Sequence, residues 1–479
     1  MKKNCFVSNL VVIASICIVT CSCSHMDEDA NLNVENTAEK VSENPYHLTI
    51  DEAQARLEQF IREMENSDSP DKLHFTSHQV TSRYATDLTP VMTRTGGMII
   101  PCVYVFNFGN DEGYSVVSQD SRVSTPYVLT TSGQLVDNMT KYNYNEIVML
   151  QMSDLTAKQV EAALQTIEPD NTEERMIVDV TNYPSGYPDG MCTTNWHQFN
   201  PYNKYCPVLE NGEKAAAGGL VVALAQMMSI FQHPSSYTTT GLDTNETTYF
   251  NWRLMAAGSE TGNDMTAKLM YYLGLPENLN VTYSTTRTSA NTSNVPHTLV
   301  NFGYASGALI SRFNANKALT ELEAGRPTIV SHNAAMVPEE YDIMGLKVEY
   351  SDSMVTRSGG SELDSLFMPG VNVLVHGGRL IEYKWIPSGV VELTSRHLLC
   401  NLGNGGVGDG WFIVDYSRPG MMPTPTFPNT GATGEGNMAE AEPNSYELMI
   451  SPNTGSGLDP SQYLILLGVT IVTGIQVAE

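Results

Sequence analysis

Positive charge is what this sequence has least of. Lys and Arg number 26 against 53 Asp and Glu, which leaves a formal net charge of -27 over 479 residues. A surface that acidic repels phosphate backbones, which argues against a nucleic-acid partner, and its plain reading is solubility. Dithiol spacing is also missing. No CxxC occurs, so neither a zinc site nor a redox motif is supported, and no cofactor or metal is expected. Long apolar runs are absent too. Leu10 to Thr20 (LVVIASICIVT) and Tyr463 to Val477 (YLILLGVTIVTGIQV) both fall short of the roughly 18 residues that a spanning helix needs. The second run is rich in β-branched residues and reads as a buried C-terminal strand pair. With 41% hydrophobic residues and a mean hydropathy of -0.19, the chain can still bury real cores.

The first apolar run has the flanks of a targeting segment. Lys2 and Lys3 form a basic start, and the run ends in Thr20-Cys21-Ser22-Cys23-Ser24. A cysteine after small residues at that place resembles a lipoprotein processing site. Cys23, preceded by Ser22, is the preferred anchor over Cys21, which follows the bulkier Thr20. Asp27-Glu28-Asp29 comes next, an acidic cluster similar to the export tags of surface lipoproteins in Bacteroides-type bacteria. The expectation is an exported outer-membrane lipoprotein at the cell surface or in the periplasm, touching the membrane through its lipid anchor only. With Cys5, Cys17, Cys21 and Cys23 assigned to this segment, Cys102, Cys192, Cys206 and Cys400 remain for the folded body.

Residues 1–23 are thus a signal peptide, and 24–45 a polar, acidic tether. From 46 to 168 the pattern is that of a small α+β domain. Thr49-Ile50-Asp51-Glu52 has the form of a capping box, and Ala53, Leu57, Phe60, Ile61 and Met64 follow at helical spacing. Strand-like runs cover Ile99 to Phe108, Tyr114 to Ser118 and Thr125 to Leu129, with Asn110-Asp111-Glu112-Gly113 turning between the first two. A helix is predicted over Leu155 to Ile167. After a charged break at Glu168 to Glu174, a second domain over 177–479 is rich in Gly, Asn, Tyr and Trp. It contains a long Pro- and Gly-loaded loop from Arg418 to Ser445.

The second domain opens with Trp196-His197-Gln198, Pro201-Tyr202-Asn203 and Cys206-Pro207. Ala217-Gly218-Gly219-Leu220-Val221-Val222-Ala223-Leu224-Ala225-Gln226-Met227-Met228 follows. Asn251-Trp252, Gly325-Arg326-Pro327 and Asn401-Leu402-Gly403-Asn404-Gly405-Gly406 complete the series. In order and spacing this resembles the streptopain family of papain-like cysteine peptidases. Those carry W-G-Q, P-Y-N, C-P, A-G-C-V-A-T-A-x-A-Q-I-M and N-W-G-W-G-G blocks. The segment YVFNF…GYSVVSQDSRV is similar to that family's inhibitory propeptide. The resemblance implies an α+β architecture, a papain-like fold preceded by a small α+β propeptide domain.

It also implies a site that has been dismantled. A nucleophilic cysteine acts as thiolate at a helix N-terminus, and the family's cysteine falls on Gly219, which has no side chain. Gln198 matches the glutamine that donates to the oxyanion, though His197 replaces the glycine before it. The histidine of G-H-A-W-V-I-D-G-Y has two placements. Laid on Gly370 to Gly377, it becomes Val371; taken instead as His376, it puts Gly377 and Gly378 into a strand, which is poor strand chemistry. Val371 is the favoured base position. Asn401 matches the orienting asparagine, while Leu402 and Asn404 replace both shielding tryptophans. No other cysteine begins the relevant helix.

The expectation is therefore a streptopain-like homologue that is inactive and binds a peptide or protein in a vestigial groove. Two alternatives stand beside it. One is an active cysteine endopeptidase processed from a zymogen, and the other a structural or adhesive surface lipoprotein.

Overall fold

The computed structural model describes residues 45–65, 79–88, 91–92, 98–99, 102–136, 144–165, 175–187, 190–239, 246–284, 288–332, 335–337, 340–349, 356–357, 366–368, 370–386, 391–417 and 469–478. The signal, anchor and tether positions, Cys21 and Cys23 included, lie outside the described residues, as does the loop from Arg418 to Ser445. From Asn44 onward the chain forms one compact unit of mixed helix and sheet. No helix among the described residues is long and apolar enough to cross a membrane.

Helix α1, Ile50–Glu65, begins where the capping box places it. The Thr49 N–H donates to Glu52 Oε2 at 2.8 Å and the Glu52 N–H donates to Thr49 Oγ1 at 3.3 Å. These reciprocal bonds satisfy donors that a helix start otherwise leaves open. Its apolar stripe buries Ala53, Leu57 and Ile61, with Phe60 and Met64 packed half-buried beside them.

Among the described residues, eleven strands build one antiparallel sheet. In chain order they are β1 Val80–Asp87, β2 Cys102–Phe108, β3 Tyr114–Ser118, β4 Val128–Thr130, β5 Arg175–Tyr183, β6 Leu309–Arg312, β7 Thr328–His332, β8 Val371–Ile386, β9 Val391–Asn401, β10 Gly410–Ser417 and β11 Val469–Thr473. Their spatial order is β1-β2-β3-β4-β10-β9-β8-β7-β11-β6, and β5 pairs with the far half of β8. Of the run read as a C-terminal strand pair, residues 463–468 lie outside the described residues, and Val469–Thr473 form one strand, β11, inserted between β6 and β7. The sheet joins the propeptide-like meander to the peptidase-like strands, because β4 pairs with β10 through Gly410–Thr130, Trp411–Leu129 and Phe412–Val128. One apolar core runs beneath both, with Val103, Val116, Ile147 and Leu150 sharing a cluster with Val373, Leu398 and Phe412.

Helix α2, Tyr144–Gln165, starts well before the predicted Leu155. Every side chain from Asn145 to Lys158 is buried, so this half of the helix has no polar face for periodicity to reveal. Its charged groups are paired inside. Lys158 Nζ bonds Asp154 Oδ2 at 2.5 Å with both side chains within 2% of full burial. Asp154 Oδ1 in turn accepts the Met344 N–H at 3.0 Å.

Helix α3, Gly219–Phe231, is apolar around its first turns and buries Leu220 through Met228. It packs with Trp252, with Met270 and Leu273 of α4 (Glu260–Gly274), and with Leu374 of β8. Before it stands Gly218 at φ 103°, a left-handed conformation that glycine adopts without strain. The opposite face of β8 packs on α2. Val371, Val373 and Val375 belong to the α2 cluster, and Leu374 to that of α3.

Candidate functional site

The site is built where the first turn of α3 meets the Trp196-His197-Gln198 segment and the start of β8. The Ala217 N–H donates to the Gln198 carbonyl at 2.8 Å, which ties the glutamine to the helix entry. On the other side His197 forms an isolated antiparallel bridge with Asn404, and the Gly405 N–H donates to the Trp196 carbonyl at 3.3 Å. The His197 ring sits edge-on to Tyr202 at 5.0 Å between centroids. Its Nδ1 accepts the Phe199 N–H at 3.2 Å, so the imidazole is engaged within its own loop.

Gly219 is the first residue of α3. A Cβ there would stand 3.8 Å from Asn372 Nδ2 and 3.9 Å from Gln198 Nε2, the two contacts inside 4 Å among the described residues beyond its own helix and chain neighbours. The position therefore faces two side-chain amides. Gln198 thus stands beside the helix start.

Neither candidate base position faces Gly219. Val371 is 1% exposed and pairs with His332, its side chain in the α2 core. His376 is 6% exposed and lies further along β8, where its Nδ1 accepts the Cys192 N–H at 3.2 Å. Burial alone holds this imidazole down to about 3, so it stays neutral. Gly190, at φ 84°, leaves room for the ring, since a Cβ there would lie 2.3 Å from His376 Nδ1. The residue opposite Gly219 is Asn372, one position after Val371, which the sequence reading missed. A strand apolar on both faces hides which parity points to the helix. Leu374 packing on α3 fixes it, because residues two apart share a face.

Asn372 is held on three sides. Its Oδ1 accepts from Ser331 Oγ at 2.9 Å, and Ser331 Oγ lies 2.6 Å from Thr292 Oγ1. Its backbone is clamped by Asn145 of α2. The Asn372 N–H donates to Asn145 Oδ1 at 3.1 Å, and Asn145 Nδ2 donates to the carbonyls of Asn372 and Leu402 at 3.0 and 2.6 Å. Every one of these groups is a neutral amide or hydroxyl, and none is a base at neutral pH.

Asn401, paired with Leu374 across the sheet, sits in a hydrogen-bond network of its own. Its Oδ1 accepts from Gln226 Nε2 at 2.7 Å and from the Gly403 N–H at 2.9 Å, and its Nδ2 donates to the Thr194 carbonyl at 2.9 Å. Gln226 Oε1 accepts the Trp196 N–H at 3.0 Å. The pair staples α3 to the two flanking segments, a structural use of residues the resemblance marks as catalytic neighbours.

One other grouping has the right residue types. Cys192 Sγ comes within 4.0 Å of Asn401 Nδ2, and His376 is at the Cys192 backbone. The imidazole meets the N–H and not the sulfur, whose remaining partners are the Thr194 carbonyl and hydroxyl. Burial pushes the Cys192 thiol up to about 11, whereas a nucleophile needs a depressed value. Cys206 is also pushed up to about 11, Cys102 to about 12, and Cys400 is raised well above the usual thiol range, each chiefly by burial. All four of these described cysteines are free. Among the described residues no three His, Cys, Asp or Glu converge as a metal site would require.

Residues 196–412 match the model of the Peptidase C10 family. Among solved structures, a fragment of prointerpain A from Prevotella intermedia, a cysteine-to-alanine mutant, is similar at 16% identity and a TM-score of 0.42. That likeness covers 83% of this chain and 100% of the other. The active wild-type interpain A cysteine protease of the same organism is similar at 18% identity and a TM-score of 0.31, over 52% of this chain and 91% of that one. No curated protein matches the chain.

Proposed function

We propose that this chain, whose segment 196–412 matches the Peptidase C10 family, is a non-catalytic relative of those cysteine peptidases that holds a peptide or protein segment in its vestigial groove. The observation that carries this reading is the pairing opposite Gly219. Where a thiolate and an imidazole would stand, the chain has a hydrogen atom and the amide of Asn372. Loss of a nucleophile alone typically costs about a millionfold in rate, and the four remaining thiols are all held protonated at neutral pH by burial. Phe199, 59% exposed next to Gln198, offers an apolar contact at the mouth of the site. The N-terminal pattern supports an exported lipoprotein anchored at Cys23 or Cys21. The propeptide-like layer reads as a lasting part of the molecule.

The test is incubation of purified protein with unfolded casein and with an irreversible thiol-protease probe. Intact casein and an unlabelled protein are expected. Casein cleavage that the probe abolishes refutes the proposal.

A further inference from the structure

The volume that Gly219 leaves is lined by donors. Asn372 is 8% exposed, and with its Oδ1 taken by Ser331 and its backbone by Asn145, its Nδ2 has no hydrogen-bond partner among the described residues. That Nδ2 lies 3.8 Å from the Gly219 Cβ position. Gln198 Nε2 lies 3.9 Å from the same point, likewise unpartnered among the described residues. The third contributor is α3 itself. Its N-cap residue, Gly218, supplies no side-chain cap, so α3 starts at Gly219 with uncapped N–H groups at the positive end of the helix dipole. Among the described residues, and apart from the backbone of α3 and its entry, these two amide nitrogens are the atoms within 4 Å of the Gly219 Cβ position. Gly219 and Gln198 are both partly exposed, so a ligand has access.

Two amide nitrogens and an uncapped helix start, from three separate elements, offer donors here, and the Asn372 oxygen is already taken by Ser331, which suits an acceptor-only group. A carboxylate has two oxygens and about four lone-pair directions, all acceptors, and charge-assisted bonds to neutral amides and a helix start suit it. An internal peptide carbonyl presents one oxygen and leaves donors unmatched. We propose that this nook binds the C-terminal carboxylate of a peptide lying in the groove. The inference rests on the groove reading above and adds which end of the peptide is recognised and by which atoms.

The experiment titrates the full chain with an N-terminally fluorescein-labelled tetrapeptide library in two forms, free acids and C-terminal amides, with sodium acetate as a competitor. The free-acid library is expected to bind at least tenfold more tightly, and acetate to displace it only at concentrations far above the peptides' own. Gln198→Glu, which sets a negative charge against the ligand at a partly exposed site, should abolish the preference. Gly219→Ala, which fills the volume without a clash, should do the same while circular dichroism shows an intact fold. Equal binding of acids and amides overturns the carboxylate inference and leaves the groove standing. Binding of neither library overturns the groove reading itself. Acetate binding as tightly as the peptides overturns the peptide as the source of the carboxylate.

Discussion

Replacing Gly219 with alanine should make this protein more stable. The residue opens α3 without a left-handed backbone, and an added Cβ meets only the two amide nitrogens at 3.8 and 3.9 Å, ordinary contact distances. The folded state thus accepts the methyl group, while the unfolded chain loses the freedom peculiar to glycine. That difference is worth about 0.4–1 kcal/mol at compatible positions. In a chain of this size it corresponds to a rise in Tm of about 1–3 °C, read by calorimetry or far-UV circular dichroism. Gly219→Cys carries the argument further. A thiol there meets the helix N-terminus and two amide donors, so its pKa should fall below the ~8.5 of a free thiol. Alkylation by iodoacetamide across pH 6 to 9, counted above the wild-type background, measures it. That background should be low in the folded body, since burial pushes Cys102, Cys192 and Cys206 up to about 11 or 12. Gly219→Cys alone should remain close to inert for want of a base, and adding Asn372→His should produce measurable peptide hydrolysis. Two results refute the geometry assigned to this position. One is a Gly219→Ala variant destabilised by more than about 1 kcal/mol, and the other is a Gly219→Cys variant whose new thiol alkylates no faster at pH 7 than a free thiol.

Burial holds Glu146, Glu161 and Asp409 each at about 7, so their protonated forms favour the fold. Their contribution is full below their unfolded values near 4 and is lost as pH rises through 7. His376 and His397, held near 3, oppose this only up to the unfolded value of about 6.5. The urea midpoint should therefore fall most steeply between about pH 6 and 7.5, and Glu146→Gln should flatten the curve. Lys158→Ala strands Asp154 in the interior and should cost about 3–5 kcal/mol in denaturant unfolding. Proteolytic nicking between α2 and β5 should leave both pieces in one peak on native size exclusion, given the β4–β10 pairing and the bond from Ser153 Oγ to the Ile413 carbonyl; separation under native conditions contradicts the shared core.

Where polarity alternates, the sequence speaks clearly. The box at Thr49 and the stripe from Ala53 to Ile61 place α1 to within a residue, because one face is wet. The first half of α2 is buried on every side, so nothing marks its start at Tyr144. The same loss of contrast hides Asn372. Val371, Val373 and Leu374 are apolar towards both neighbours, and a shift of one residue changes which side chain faces Gly219. Gly219 and Gln198 are legible because a helix entry and a turn constrain them locally. The use of Asn401 is not, because its partner Gln226 is 175 residues away in sequence.

A segment made to depart must leave behind, and carry away, surfaces that tolerate water. α2 does neither. Ile147, Val148, Met149 and Leu150 are each exposed by 2% or less, so a bare α2 would be an aggregation hazard and the bare underside of β8 and β10 another. In such a molecule α2 is built like a keel and not like a stopper. Cutting α2 out would bare both surfaces at once.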